Sequence, residues 1–266
     1  MVQGDSDAIR ESAPDSNAAS NRGGEALGVL VAGSLELGIR LSSLQVGQFG
    51  EFQRVLLEWN QRMNLTSITA PVEVQVKHFL DSLTVVCALP GPVREGEQPA
   101  TLLDVGAGAG LPGIPLAIVL PLLQVSLLEA TQKKCRFLDH AIAVLGLPNA
   151  TVLCGRAEEL GRQPEQRGAY DVVVARAVAP LAALAELCLP FARVGGCMIA
   201  MKKLGIRDEV TAASRAITLL GGRLESPVTV RVPILGEQRQ LIAIEKVRPT
   251  PAVYPRRPGI PARSPL

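Results

Sequence analysis

Between Asp104 and Glu129 lie 24 residues without a single charge. A membrane-crossing helix needs about 20 apolar residues, so the length alone would suffice. Gly106, Gly108, Gly110 and Gly113, with Pro112, Pro115 and Pro121, break the run. It reads instead as the end of one strand, a tight turn, a short buried helix and a second strand. Strand 101–105 is almost wholly apolar and leads directly into Gly106-Ala107-Gly108-Ala109-Gly110. Glycine has no Cβ, so such a turn lets the backbone bend sharply and approach a ligand closely.

The rest of the chain falls into place around that turn. Residues 25–38 and 43–63 read as amphipathic helices. In the second, Phe52, Val55, Leu56, Trp59 and Met63 share one face, and Ser42 with Gln45 forms a capping-box pattern at its start. A third helix is expected from Pro71 to Cys87, with Val72, Val76, Phe79, Leu83 and Val86 inward. Strands at 101–105, 124–129, 150–154, 170–175 and 195–202 then alternate with helices near 113–120, 131–145, 179–192 and 207–220, which predicts a doubly wound α/β sheet. Runs at 223–232 and 239–247, turned around Gly236, predict an antiparallel hairpin at its edge. The domain organisation expected is an extension over 1–24, a helical cap over 25–90, a ligand-binding domain over 91–247 and a basic, proline-rich tail over 248–266.

Charge constrains the partners. The net charge of +2 hides an asymmetry: residues 1–24 carry two basic and four acidic side chains, whereas residues 248–266 carry four arginines and no acid. The body is neutral, so a nucleic-acid partner would be held by local patches and the tail. The tail has six prolines and reads as extended backbone, either a linker-like end or a binding arm. Cys87, Cys135, Cys154, Cys188 and Cys197 are odd in number, scattered and without a C-x-x-C pair, which argues against a disulfide framework or a zinc site. Reduced thiols, no metal, no membrane, a cytoplasmic location and a monomer are the expectations.

Glu129 ends a strand 23 residues after Gly106, where an acid on such a sheet accepts hydrogen bonds from ribose hydroxyls. Together with the turn this suits S-adenosylmethionine. Gly108-Ala109-Gly110-Leu111-Pro112-Gly113 also matches the dinucleotide fingerprint G-x-G-x-x-G, so a nicotinamide or flavin enzyme, or another methyltransferase of this sheet type, acting on a small molecule stays as an alternative, and a non-catalytic RNA-binding factor on the same fold as another. For a methyltransferase the absences discriminate. Exocyclic amine methylation usually leaves an Asn/Asp-Pro-Pro-aromatic motif after the fourth strand, and this chain has Ala175-Arg176-Ala177-Val178 there. None of the five cysteines follows a proline, against a cytosine carbon-5 nucleophile. An endocyclic nitrogen such as guanine N7 already offers a lone pair and needs no general base, so no catalytic side chain is assigned.

Taken together, Trp59-Asn60-x-x-Met63-Asn64-Leu65-Thr66-Ser67-Ile68, His78-Phe79-Leu80-Asp81-Ser82-Leu83, the string Asp104 to Leu116, Arg176-Ala177 and Tyr254-Pro255-Arg256-Arg257-Pro258-Gly259-Ile260-Pro261 closely resemble the bacterial ribosomal RNA small subunit methyltransferase G family, also called glucose-inhibited division protein B, over residues 25–266. The resemblance implies a class I methyltransferase, a Rossmann-like seven-stranded sheet with an antiparallel last strand. It also implies transfer of methyl from S-adenosylmethionine to N7 of a guanine in 16S ribosomal RNA, free or in the small subunit. Cofactor contacts are then implied at Gly106, Leu111, Ala157, Glu158 and Arg176, with Glu129 added from the geometry of such sheets. Asn64, His78, Lys202, Arg256 and Arg257 are candidates for the RNA side, though a histidine on a helix is more often a structural hydrogen-bonding residue. Lys133, Lys134, Arg136 and Lys203 are further candidates for phosphate, and Lys77 with Asp81, at i and i+4, suits a solvated ion pair. Lys202-Lys203-Leu204 departs from the single lysine followed by glycine that the resemblance leads one to expect.

Overall fold

The computed structural model describes residues 27–176 and 179–266. The extension expected over 1–24 lies outside them, as do Ala177 and Val178.

Five parallel strands make the body of one sheet: β1 (Ala100–Val105), β2 (Leu123–Glu129), β3 (Ala150–Cys154), β4 (Tyr170–Arg176) and β5 (Ala192–Lys203). Buried parallel strands must be apolar on both faces, and Leu102, Leu103, Val172, Val173 and Val174 are all fully buried. The remaining strands are β6 (Gly222–Leu224), β7 (Val228–Arg231) and β8 (Gln238–Lys246), in the order β3-β2-β1-β4-β5-β8-β6 with β7 also on β8. β8 runs antiparallel to β5. The expected strand over 223–232 is therefore broken in two, with Pro227 in the gap. Proline has no N–H to give to a ladder. Among the described residues, eight strands occupy the seven positions expected.

Apolar cores lie on either side of the sheet. One gathers Phe49, Phe52, Phe79, Leu127 and Phe137 under the N-terminal helices; the other gathers Leu184, Phe191 and Ile217. The N-terminal helices are α1 (Gly28–Glu36) and α2 (Ser43–Asn60), the latter with its capping box formed by Ser42 and Gln45. α3 spans residues 71–88 and changes pitch along its length: α-helix Pro71–Val74, π-helix Gln75–Leu80, α-helix Asp81–Leu83, 3-10 helix Thr84–Ala88. Four of the five residues expected inward there, Val76, Phe79, Leu83 and Val86, are buried. Val72 is 54% exposed, while Val74, Gln75, Val76 and every residue from His78 to Val86 are buried. The wide π turn shifts the phase of the side chains, and the stretch is enclosed nearly all round.

α4 (Gly91–Arg94) leads into β1; α5 (Gly113–Val119), α6 (Gln132–Leu145), α7 (Ala157–Leu160), α8 (Leu181–Cys188) and α9 (Arg207–Leu219) follow successive strands. Beyond β8 the chain ends in α10 (Ile260–Arg263). Its approach to α10 is not a free arm. Arg162 donates to the carbonyls of Pro255 and Val253 at 2.8 and 2.9 Å, and Arg167 to those of Tyr254 and Thr250 at 2.9 and 2.7 Å. A proline-rich segment lacks many N–H groups of its own, so its carbonyls are satisfied by arginines of the body.

Candidate functional site

Parallel strands bring their carboxyl ends to one edge, and the order β3-β2-β1-β4-β5 reverses direction between β1 and β4. Ligands of open α/β sheets bind outside the strand ends at that switch point. Val105, Glu129, Cys154, Arg176 and Lys203 end the five parallel strands there.

The glycine turn is shaped by its backbone. Gly106, Gly108 and Gly110 all have positive φ, at +76°, +57° and +79°, values that L side chains rarely adopt. Gly113 is needed for space: a Cβ there would stand 2.2 Å from Leu127 Cδ2 and 2.9 Å from Asp104 Oδ2. This close approach lets Gly113 N donate to Asp104 Oδ2 at 2.8 Å. Glu129, 6% exposed, ties the turn to β2 by accepting from Gly108 N at 3.1 Å through one oxygen and from Thr131 N at 2.8 Å through the other.

The amides at the start of α5 decide against the dinucleotide alternative. A pyrophosphate needs free N–H groups at a helix N-terminus. Here Gly113 N goes to Asp104, Ile114 N to Gly110 O and Leu116 N to Pro112 O. Pro112 and Pro115 have none to give.

Asp104 is wholly buried. Its carboxyl is pushed up to about 7, first by burial, against which the Gly113 N–H and the Arg176 charge pull it down and Glu129 adds a further rise. Its Oδ1 has no hydrogen-bond partner among the described residues. An unpaired buried acceptor, a glycine turn and the Glu129 carboxylate with lone pairs to spare form a cradle that fits a cationic, hydroxyl-bearing group.

Opposite the turn, α3 contributes Asp81, 5% exposed, which grips two arginines from different strands. One oxygen accepts from Arg176 Nη1 of β4 at 3.2 Å and the other from Arg239 Nε of β8 at 2.7 Å. Lys77 pairs with Glu73 instead, so the Lys77–Asp81 pair expected from sequence is not formed. His78 Nε2 lies 2.7 Å from Thr66 Oγ1. Burial, then the nearby Arg176 charge, lowers the imidazole to about 4, so it is neutral at physiological pH.

The other candidates divide by whether their polar atoms are taken. Lys202 Nζ is 2.7 Å from both Glu209 and the Ala179 carbonyl. Arg256 is not a free cation of an RNA arm, a correction to the sequence reading: its N, Nε and Nη2 donate to Glu186, which is 0% exposed, at 2.8, 2.9 and 2.6 Å. Glu158 opens α7 beside Ala157 and accepts from Gly259 N at 2.8 Å, so its side chain faces the tail. Leu111 is buried, whereas Asn64, Lys133, Arg136, Lys203 and Arg257 are exposed. Asn60, quoted in the resemblance but given no role there, builds the loop before α3: its side-chain oxygen accepts from Leu65 N and Thr66 N at 2.8 and 3.0 Å. Arg239 was missed as well; it is 158 residues from the acid that holds it, and no local pattern links the two.

The cysteine reading also needs correction. Cys135 of α6 and Cys154 of β3 are joined as a disulfide, because the register that places Cys154 beside Glu129 also brings it over the first turn of α6. Among the described residues, no helix is long and apolar enough to cross a membrane.

Comparison with known proteins agrees with this geometry. The family model described as rRNA small subunit methyltransferase G matches residues 45–242. A protein named ribosomal RNA small subunit methyltransferase G from Pelotomaculum thermopropionicum is 49% identical over 234 residues, 88% of this chain and 96% of that one. Another of that name from Dehalococcoides mccartyi (strain CBDB1) is 48% identical over 237 residues, 89% and 98% of the two chains. Among solved structures, that of a mutant of MtNAS overlays with a TM-score of 0.50 at 15% identity, covering 88% of this chain and 90% of that one, a likeness of fold alone. With a glycine turn, an acid at the end of β2 and an arginine at the end of β4 on a sheet of this order, and with near-half identity over almost their whole length to named relatives, the chain belongs to the rRNA small subunit methyltransferase G family, enzymes that use S-adenosylmethionine.

Proposed function

We propose that the protein methylates N7 of a guanine in 16S ribosomal RNA, in the cytoplasm and as a monomer. The observation that carries this reading is what surrounds the strand ends: Asp81 is spent on two arginines, His78 is held neutral against Thr66, and the Cys135 sulfur is joined to Cys154. None of them is placed as a free base or nucleophile, so the acceptor that suits this site is one with a lone pair already available. Guanine N7 is such an atom.

S-adenosylmethionine supplies a sulfonium methyl, which an in-line nucleophile takes without prior deprotonation. The chain's part is to bind and align. Gly106 and Leu111 form the floor of the turn, Glu129 offers acceptor oxygens for the ribose, and Ala157 with Glu158 forms the wall after β3. Arg176, held by Asp81, fixes the side nearest the RNA. Alignment of this kind supplies as much as about 7–11 kcal/mol of a barrier. Asn64 and Arg257, exposed and with open polar atoms, are assigned to RNA contact along with Lys133 and Lys203. His78, Lys202 and Arg256 act through the groups they hold.

The test maps 7-methylguanosine by chemical cleavage of 16S RNA from cells lacking the gene and from the same cells carrying it. Cleavage restored by the wild type and not by Glu129→Ala is the expected result; no restored position with either rejects the reading. Supplying purified protein with free 16S RNA or with small subunits then identifies which is the substrate.

A further inference from the structure

Cys135 and Cys154 lie on elements whose positions the fold sets independently of sulfur. Cys154 ends β3 in register with Glu129 of β2, and Cys135 lies in the first turn of α6. Their Cα atoms are 5.9 Å apart, within the range a disulfide spans. The two thiols differ in access: Cys135 is 2% exposed, with Sγ 3.3 Å from the Glu129 carbonyl, while Cys154 is exposed at the strand end. The other three cysteines are half-buried or buried, and burial pushes the thiols of Cys87, Cys188 and Cys197 up, that of Cys197 to about 11. Of the five, Cys154 alone combines an outlet to solvent with a second sulfur in reach.

We propose that Cys135 and Cys154 form a reversible oxidation site, with Cys154 the attacking thiol, Cys135 the resolving thiol and a peroxide the oxidant. The Cys154 thiolate attacks one peroxide oxygen, the O–O bond breaks, Cys154 becomes a sulfenic acid, and the other oxygen leaves as hydroxide and is protonated to water. The Cys135 sulfur then attacks the Cys154 sulfur; the S–S bond forms and the hydroxyl leaves with the Cys135 proton as a second water. Two thiols lose two electrons and one hydrogen peroxide gains them. A small dithiol reverses the change by attacking the exposed Cys154 sulfur, releasing Cys135 as thiolate and closing its own disulfide as Cys154 departs.

The bond closes α6 and β3 into a loop with a sequence separation of 19, and both of its ends flank Glu129. The Glu129 carbonyl accepts from Gly155 N at 2.9 Å, and its carboxylate holds the glycine turn. Oxidation fixes this acid and the segment leading to Ala157, and reduction frees them. The oxidised form therefore binds S-adenosylmethionine more tightly, by about threefold or more, since less ordering remains to be done on binding. This coupling rests on the reading of Glu129 as a ribose acceptor; the oxidation chemistry does not.

The experiment treats reduced full-length protein with a small excess of hydrogen peroxide, blocks free thiols with iodoacetamide and identifies peptides by mass spectrometry. A Cys135–Cys154 linked peptide, lost on dithiothreitol treatment and absent in Cys154→Ser, is expected, with a dimedone-trapped sulfenic acid on Cys154 in Cys135→Ser. Full alkylation of both cysteines after peroxide, or linkage to a different cysteine, overturns the site. Calorimetry of the oxidised and reduced protein with S-adenosylmethionine then tests the coupling. Equal Kd values in both forms overturn it, whereas an unchanged Kd in Glu129→Ala overturns the placement of the cofactor instead.

Discussion

Replacing Arg256 with alanine separates a docked tail from an RNA arm. Glu186 is fully buried and accepts four hydrogen bonds from Arg256, one from its backbone N and three from its guanidinium, with Nε reaching both carboxylate oxygens. Removing one member of a buried ion pair leaves an uncompensated charge and costs about 3–5 kcal/mol. Two features put this case at the low end. The backbone N–H survives the substitution, and the Arg256 side chain is 27% exposed, which leaves water a path to the carboxylate. The expected loss is about 3 kcal/mol. In a chain of this size 1 kcal/mol moves the melting temperature by about 2–4 °C, so Arg256→Ala should melt about 6–12 °C lower. Urea denaturation should show a lower midpoint with an unchanged slope. Changing both partners to methionine should recover most of the loss, because an apolar pair of similar volume is about neutral in place of a buried ion pair. Binding of 16S RNA over a salt series completes the test. An arginine on a phosphate would lower the salt slope by about 1 when removed. An unchanged melting temperature together with that lower slope would refute the docked tail.

Asp81→Asn keeps the shape of the acid and removes the charge that holds Arg176 and Arg239; calorimetry should give a cofactor Kd about tenfold weaker, the size of one lost charge-assisted bond, with partial recovery in Asp81→Glu, and an unaltered Kd would deny Arg176 its positioning by Asp81. His78 folds with its imidazole lowered from 6.5 to about 4, so the unfolded chain takes up the proton first. Its contribution is full above pH 6.5 and is lost as the pH falls toward 4, by about 3 kcal/mol, and His78→Gln should flatten that part of the wild-type stability curve. Asp104 has the opposite sign: its carboxyl is raised from 3.8 to about 7, so stability is greatest below pH 3.8 and declines as the pH rises to 7. Asp104→Asn, measured without cofactor, should gain on the wild type over that interval by up to about 4 kcal/mol, and parallel curves for the two proteins would reject the buried, proton-bearing state. Gly113→Ala must push Leu127 or the turn aside and should cost about 1–3 kcal/mol by urea denaturation; a neutral effect would mean that β1 and α5 are not so closely apposed.

Much of the site was legible because it is local. A strand, a turn of glycines and a short helix are specified by adjacent residues, and Glu129 follows from the rhythm of strand and helix. Arg239 and Glu186 were not legible, since their roles depend on partners brought near by the path of the sheet and tail. The α3 face was read too narrowly because the periodic argument assumes a constant pitch, and the π-helix at Gln75–Leu80 changes it. The cysteines were misread for a related reason. Spacing in sequence says nothing about a strand end and a helix turn that the β2–β3 register sets side by side.

The place of β8 sets the order in which the sheet can be finished. β6 and β7 precede β8 in the chain yet pair with it, and β5 offers β8 the edge from Cys197 to Lys203. While the chain is being synthesised, β5 therefore waits with a row of unpaired backbone groups until residues 238–246 emerge. An open edge beside an apolar sheet is a template for joining another chain. A chain cut short before residue 238 should accumulate as aggregate rather than as a folded but inactive protein.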